Sequence, residues 1–458
     1  MAVQTIFPVT RIHEPLRVDV EVQNGKIVDA WLGAHLFRGM ENMLQGRDPR
    51  DAALFTQRIC GICSSAHAIA ASMAQQQAFG VVPTPAGQLL TNLIFAADII
   101  QNNLRHFYVL VLYDYVKGPD MPPYTPRPQA DFRLPPKVND ELLRHAQEAA
   151  LKAVRAHEAM AVFGAKAPLQ QSIIPTGITE RASVERLMAY SAILQEVTDW
   201  VEKYFINDVM TIGEYYQDYY HIGAGYGNFF SVGMFPSPVT GERAFKPGLV
   251  VNKGQVEPLD VNYFVEEIRY SWYKDDAGRR PPAQGVTNPD ADKPEAYSWV
   301  KAPRYREMPL ECGPLARGFI NGDYRRGVSV MDRLVARAQE TLKICKLAQG
   351  FLNEIVPNSP SYQPYTPPDA GSGVGLTDAM RGVLGHWMEY KRNKVTHYQV
   401  LTPTTWNFSP RDSRGIRGPV EQALIGTPVA EGAGLVEAGR VVRSFDPCFT
   451  CAVHMLEK

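Results

Sequence analysis

Arg58-Ile59-Cys60-Gly61-Ile62-Cys63-Ser64-Ser65-Ala66-His67 and Asp446-Pro447-Cys448-Phe449-Thr450-Cys451-Ala452-Val453-His454 decide how this chain is read. Each holds a Cys-x-x-Cys turn with a histidine a few residues on. Such a turn brings two sulfurs to one side of the backbone, so two turns brought together offer four thiolates to a soft metal. For that, the two ends of a 458-residue chain must meet. Three readings compete. A dithiol redox pair uses one Cys-x-x-Cys and leaves the other idle. Structural zinc needs only four thiolates, but it usually joins knuckles close in sequence, and closing a loop of about four hundred residues costs more chain entropy. A catalytic metal centre is the third, and spacing alone leaves it open beside zinc. Arg58, Asp446, His67 and His454, flanking the cysteines, have the chemistry of groups that surround and orient metal-bound sulfurs.

Outside the motifs only Cys312 and Cys345 remain of six cysteines, too few for a disulfide framework in so long a chain. Lys plus Arg and Asp plus Glu nearly cancel, at 47 against 48, so no basic surplus points to nucleic acid or an anionic membrane surface. The start, Met1-Ala2-Val3-Gln4-Thr5-Ile6-Phe7-Pro8, shows no basic region followed by an apolar run, and we expect no secretory signal of its own. No stretch approaches the roughly 18 uninterrupted apolar residues of a membrane-spanning helix. A folded chain of this kind is expected to be soluble or peripheral, and export bound to a signal-bearing partner stays open.

Leu16 to Leu32 alternates apolar and polar residues around Asn24-Gly25, which predicts a β-hairpin. From about Asp51 the pattern is helical, with a long apolar segment from Ala86 to Val116 ended by Pro119, Pro122 and Pro123. Asn139 or Asp140 is expected to cap a helix running to about Gly164. Leu187, Leu194, Val197, Val201, Tyr204 and Phe205 mark one face of a long helix from about Ala182 to Tyr219. Phe229 to Asp260 is richer in strand formers, and Lys274 to Pro294 reads as an exposed loop. Further helices are expected over Tyr324 to Ile355, with Cys345 on its core face, and over Leu376 to Lys391. Pro357 to Pro368 is a proline-rich loop. The fold class expected is mainly α with small β additions: a long helical-bundle core, an N-terminal β-hairpin, and one domain over residues 1–458 that ends in a metal-binding segment at 443–454.

The two cysteine motifs resemble the signatures of the nickel-iron hydrogenase large subunit. Phe37-Arg38-Gly39-Met40-Glu41, Gly46-Arg47-Asp48-Pro49-Arg50-Asp51, Gly313-Pro314-Leu315-Ala316-Arg317, Arg381-Gly382 with His386-Trp387, and Pro403-Thr404-Thr405-Trp406-Asn407 also resemble family segments in family order. The likeness runs over nearly the whole chain. It implies nickel held by Cys60, Cys63, Cys448 and Cys451, with Cys63 and Cys451 bridging to an iron that carries carbon monoxide and cyanide. Cys448 is then the first proton acceptor, Arg381 lies over the open metal face, Thr404 hydrogen-bonds a cyanide and His67 orients a bridging sulfur. Glu41 and His454 resemble ligands of a second, hard cation, usually magnesium. Without the likeness, Arg381 would read as a salt bridge, Thr404 as a cap and Glu41 as a solvated helix charge.

The implied reaction, heterolytic cleavage of dihydrogen, needs a Lewis acid and a nearby base for the proton. Electrons must leave singly, and an iron–sulfur cluster takes about four cysteines, which Cys312 and Cys345 cannot supply. An obligate partner, the iron–sulfur small subunit, is therefore expected. Uptake of hydrogen is the expected direction, with the complex peripheral to the cell membrane, exported with the small subunit and serving a membrane electron acceptor. The alternatives are a hydrogen-sensing subunit and a non-catalytic scaffold akin to the quinone-site subunit of respiratory complex I, which would lack the metal cysteines.

The sequence also departs from the family. Where relatives read Arg-Ile-Glu-Gly-His, this chain reads Arg11-Ile12-His13-Glu14-Pro15. His13 stands at the position of the glutamate that begins proton export, and Glu14 is expected on the opposite face of a strand. A histidine is suited to proton transfer near neutral pH, which makes His13 the expected relay. Asn102 stands where many relatives have an acid, predicting a less firmly paired Arg381. Gly164-Ala165-Lys166-Ala167-Pro168 lacks histidines common there. Relatives often carry an extension that a protease removes after the motif histidine; Met455-Leu456-Glu457-Lys458 follow here.

Overall fold

Leu16, Val18 and Val20 point one way along a strand and are fully buried, while the residues between them face outward. The computed structural model pairs Leu16–Gln23 with Lys26–Ala34 in antiparallel register about Asn24-Gly25, both at positive φ, as a tight primed turn requires. Val3–Ile6 adds a third strand on the other edge. The structure describes residues 3–122, 124–125, 130–275, 278–430 and 434–452, with backbone alone at 451 and 452. Pro123, named above as a helix terminator, the side chain of Cys451, and all of His454 thus lie outside the described residues.

Helix outweighs strand about two to one, 43% against 20%. Pro85–Arg105 is the central helix, and its buried residues lie on every face, so it is enclosed by neighbours rather than laid on a surface. Pro136–Gly164 and Val330–Glu354 pack against it, and Val184–Trp200 packs against both of those. Thr84 caps the central helix through its hydroxyl, and Ser329 with Asp332 forms a reciprocal capping box at the start of Val330–Glu354. The Pro136–Gly164 helix begins at Pro136, with Pro at its first position, and not at an Asn139 or Asp140 cap. Asn139 instead clamps the backbone of Lys117, accepting from its N–H at 2.7 Å and donating to its carbonyl at 3.1 Å. Among the described residues no helix is long and apolar enough to cross a membrane.

The expected helix over Leu376 to Lys391 is strand. Ala370–Ala379, Gly382–Lys391 and Lys394–Leu401 form an antiparallel three-stranded sheet. Gly382 to Met388 is buried on both faces, so the two-residue alternation that signals a strand is absent, and apolar density mimics a buried helix. Gly371, Gly373 and Gly375 recur at the strand period against the Ser64–Phe79 helix. A Cβ on Gly373 would come within 2.0 Å of the Ala74 carbonyl, and one on Gly375 within 1.8 Å of that of Ala70. Sheet and helix therefore touch backbone to backbone, which fixes the helix that begins at Cys63. The segment expected as an exposed loop from Lys274 to Pro294 is irregular but partly inserted: the Lys293 ammonium is buried and donates to the Ile268 and Tyr273 carbonyls.

Candidate active site

A 3₁₀ turn, Gln57–Ile59, delivers Cys60, and Cys63 is the N-cap of the Ser64–Phe79 helix. Cys448 follows the Val436–Ser444 helix and precedes a short turn of helix, Phe449–Ala452. Although 388 residues apart, the Cys60 and Cys448 sulfurs lie 3.2 Å from each other, and Cys60, Cys63 and Cys448 are all buried. That distance is far too long for a disulfide of about 2.05 Å. Two sulfurs brought this close in the interior are placed to bind one soft metal together. The Arg38 guanidinium staples the two ends: it donates to the Arg58 carbonyl at 3.1 Å, to that of Ile59, and to the Thr450 carbonyl at 2.7 Å. The Arg58 side chain is exposed and takes no part beyond its carbonyl, whereas Asp446 is inside.

Arg381 sits at the tip of the hairpin between the strands Ala370–Ala379 and Gly382–Lys391. Arg317 holds that tip by donating to the carbonyls of Ala379 at 3.0 Å and Met380 at 3.2 Å. The Arg381 Nε donates to the Asp446 carbonyl at 2.8 Å, and Nη2 donates to Asn102 Oδ1 at 2.9 Å and Asp446 Oδ1 at 3.0 Å. Asn102 in turn donates to Asp446 Oδ2 at 3.0 Å. The expectation of a loosely paired Arg381 is thus corrected, because Asp446 supplies the negative charge that Asn102 lacks. Burial works against the Arg381 charge, but Asp446 and then Cys448, Cys63 and Cys60 outweigh it and keep the guanidinium protonated. Burial alone would raise the Asp446 carboxyl; Arg381, His106 and Arg337 hold it well below the usual range instead. Arg381 Nη1 is buried and finds no acceptor among the described residues. A buried, unspent donor beside converging sulfurs is what a further ligand at this site would use.

The Thr404 hydroxyl accepts the Cys448 N–H at 3.2 Å, while the cap of the Pro403–Asn407 helix is Thr402. Beneath this turn, Asn407 accepts from the Cys312 N–H and donates to its carbonyl, both at 3.0 Å, so Cys312 is a buried support for the Arg381 hairpin. His67 Nδ1 lies 3.1 Å from His386 Nε2, and His386 Nδ1 lies 2.8 Å from the Tyr398 hydroxyl. Burial first, and the neighbouring His67 second, keep His386 neutral, while burial keeps Tyr398 protonated. His13 lies along Cys448, its carbonyl accepting the Phe449 N–H at 3.1 Å. Burial, then Arg381, pushes its imidazole down to about 4. Glu14, expected to face away, turns in: its carboxylate accepts the Thr450 N–H at 2.9 Å.

Glu41 is buried on the short Met40–Leu44 helix, and its charge acts on Glu266, whose carboxyl is raised by burial although Lys301 lies 3.6 Å away. Among the described residues no group of three or more His, Cys, Asp or Glu side chains is arranged to hold an ion. The structure therefore joins Cys60, Cys63, Cys448, Arg381, Thr404, His67 and His13 in one region. Sequence reading expected Glu14 on the opposite face of a strand, where it instead meets Thr450, and it missed Thr450, Glu266 and Lys301.

The family model described as nickel-dependent hydrogenase matches residues 38–130, 117–327 and 320–454. The periplasmic NiFeSe hydrogenase large subunit of Desulfomicrobium baculatum is 37% identical over 99% of this chain and 95% of its own length. The uptake hydrogenase large subunit of Rhizobium leguminosarum bv. viciae is 28% identical over 98% of this chain and 95% of its own. The solved reduced-state Ni-Fe-Se hydrogenase of D. vulgaris Hildenborough superposes with a TM-score of 0.96 at 38% identity, covering 99% of this chain and 100% of that one. With paired sulfurs from opposite ends of the sequence and a family match across nearly its whole length, the chain belongs to the nickel-dependent hydrogenases, as a catalytic large subunit.

Proposed function

We propose that this subunit takes up hydrogen, cleaving dihydrogen at a nickel-iron centre held by Cys60, Cys63, Cys448 and Cys451, and hands the electrons to an iron–sulfur small subunit. The observation that carries this is the 3.2 Å approach of Cys60 and Cys448 beside the charged Arg381. When bound, the centre would supply the Lewis acid that draws the electron pair from dihydrogen, its iron carrying carbon monoxide and cyanide.

The protein's own groups do the rest. Cys448 is the base that takes the proton. Thr404 fixes the Cys448 backbone and has its own hydroxyl proton to offer a ligand. Arg381, locked by Asp446 and Asn102, presents Nη1 toward developing negative charge at no reorganisation cost. His67, held in place by His386 and Tyr398, orients a sulfur. Burial of the sulfurs excludes water, which strengthens each of these interactions. His13, neutral at working pH, lines the proton side. Glu41 with His454 would bind a hard divalent cation such as magnesium and tie down the carboxyl end.

All of this is the work of one unit spanning residues 1–458. Cys312 and Cys345, both buried on separate elements, cannot ligate a cluster together, which supports placing the electron chain on the partner. Relatives named periplasmic and uptake support export of the complex with that partner. A hydrogen sensor would keep the same site but turn over little. The assembled heterodimer is therefore assayed with an artificial electron acceptor under hydrogen. Sustained turnover supports an uptake enzyme, and hydrogen binding without turnover contradicts it.

A further inference from the structure

A guanidinium drawn into the interior is costly unless carboxylates or carbonyls meet it. The arginines around the cysteines keep that rule, with one exception. Arg337 Nη1 lies 3.2 Å from Asp446 Oδ2 and donates to Asn103 Oδ1 at 2.6 Å. Asp114 binds Arg11 at 2.5 Å and Arg443 at 2.6 and 2.7 Å. Arg105 is the exception. It is half-buried, and among the described residues it meets neither an acceptor nor a carboxylate at bonding distance, although its Nη2 is fully enclosed.

The central helix sets where this charge stands. Arg105 is the last residue of Pro85–Arg105, three positions after Asn102, so the two share a helix face. Asn102 joins Arg381 to Asp446, which brings Arg105 to the edge of the same cluster. The next residues, His106–Val111, widen into a π turn, a form that gathers at functional sites. His106 fixes that turn by donating from Nε2 to the Arg443 carbonyl at 2.7 Å. Charge at this cluster does not balance. Arg381 and Arg337 share the one carboxylate of Asp446, and their other side-chain partners, Asn102 and Asn103, are neutral. Asp98 is the other carboxylate near Arg105, but the N–H and hydroxyl of Ser65 and the Gln101 amide take its oxygens, and burial raises its carboxyl. Burial and then Arg381 work against the Arg105 charge, while Asp98, Asp446 and Cys60 favour it. With Asp446 already shared, the sulfurs are the negative charge left to balance a third guanidinium.

We infer that Arg105 is the standing counter-cation of the cysteine cluster, and that its unneutralised charge favours the reduced, more negative state of the site. This rests on the reading of that cluster as a nickel-iron centre. Arg105 is a positioning residue in the electrostatic sense: it acts through the field it sets at the sulfurs and touches no reactant. Its guanidinium is charged at every working pH, so the field is permanent. An ammonium at the same place keeps that charge, and a neutral amide of similar reach removes it.

The test uses the assembled, metal-loaded heterodimer carrying Arg105→Gln, Arg105→Met or Arg105→Lys. Nickel content reports assembly, and exchange between deuterium gas and solvent protons reports turnover. The infrared bands of the iron ligands, followed through a redox titration, report the midpoint potential of the site. Arg105→Gln and Arg105→Met are expected to keep nickel, to displace the iron-ligand bands, and to make reduction harder by about tenfold in its equilibrium constant, a fall of about 59 mV for one electron. Arg105→Lys should return both bands and potential toward the parental values. A parental potential with parental bands in Arg105→Gln overturns the inference, and should that variant not assemble, the same result in Arg105→Met overturns it. A lysine variant that behaves as the glutamine variant does also overturns it, because shape and not charge would then matter. Absence of nickel from the parent itself overturns the reading of the site beneath it.

Discussion

The two sides of the cysteine cluster are built differently. Toward the core, Arg381, Asp446, Asn102 and the His67–His386–Tyr398 chain are buried and bonded to one another, a closed arrangement that holds charge and orientation. Toward the surface, Glu14, Thr450 and Arg38 are half-buried, strained at Glu14, and joined across the two ends of the sequence. A site that must keep electrons on one path and release protons on another benefits from that asymmetry. The closed side fixes charge and orientation, and the open side ties the two ends of the sequence together.

The largest effect expected from breaking this arrangement is at Asp114, which anchors both ends. Replacing it with Asn leaves Arg443 buried without its counter-charge, a loss of about 3–5 kcal/mol in chemical denaturation. Burial opposes the Asp114 charge, but Arg443 and Arg11 outweigh it, so its folded pKa lies below the ordinary value. The stability it contributes is therefore present above the unfolded carboxyl value of about 3.9 and is lost as pH falls through the folded pKa. The parent should lose this stability in acid, and the Asn variant should show a flatter profile there.

Next comes Arg381→Lys on the closed side. An ammonium cannot reproduce the fork that meets Asn102 and Asp446 together while leaving Nη1 unspent, so turnover should fall about 10²–10³-fold with nickel retained. A smaller effect is expected from Gly375→Ala, whose new Cβ would press on the Ala70 carbonyl of the helix that begins at Cys63. The cost should be about 1–3 kcal/mol in a thermal or denaturant melt, with the helix start displaced. The smallest is Tyr398→Phe, at about 1 kcal/mol, with solvent exchange unchanged if that chain only orients His67. A large loss of exchange in Tyr398→Phe would erase the distinction between the two sides.

Much of this was legible in the sequence because the cysteine motifs are contiguous and chemically specific. The long helices were legible because their apolar residues recur at helical spacing, as along Val330–Glu354. The sheet at 370–401 was not, because a strand buried on both faces loses its alternation, and its glycines make sense only against the Ser64–Phe79 helix. Asp446 as partner of Arg381 was hidden for a different reason: Asn102 stood where an acid was expected, and the compensating charge comes from 344 residues away. Glu14 was misread because strand geometry was assumed at a position whose φ is positive. Local rules failed where long-range contacts set the backbone, and those places surround the site.

Everything above depends on sulfurs from the two ends of this chain holding a nickel-iron centre together. Metal analysis of the purified heterodimer combined with its infrared spectrum tests it most directly. Nickel and iron are expected together with the bands of carbon monoxide and cyanide, all lost in Cys448→Ala. Zinc without those bands would contradict it.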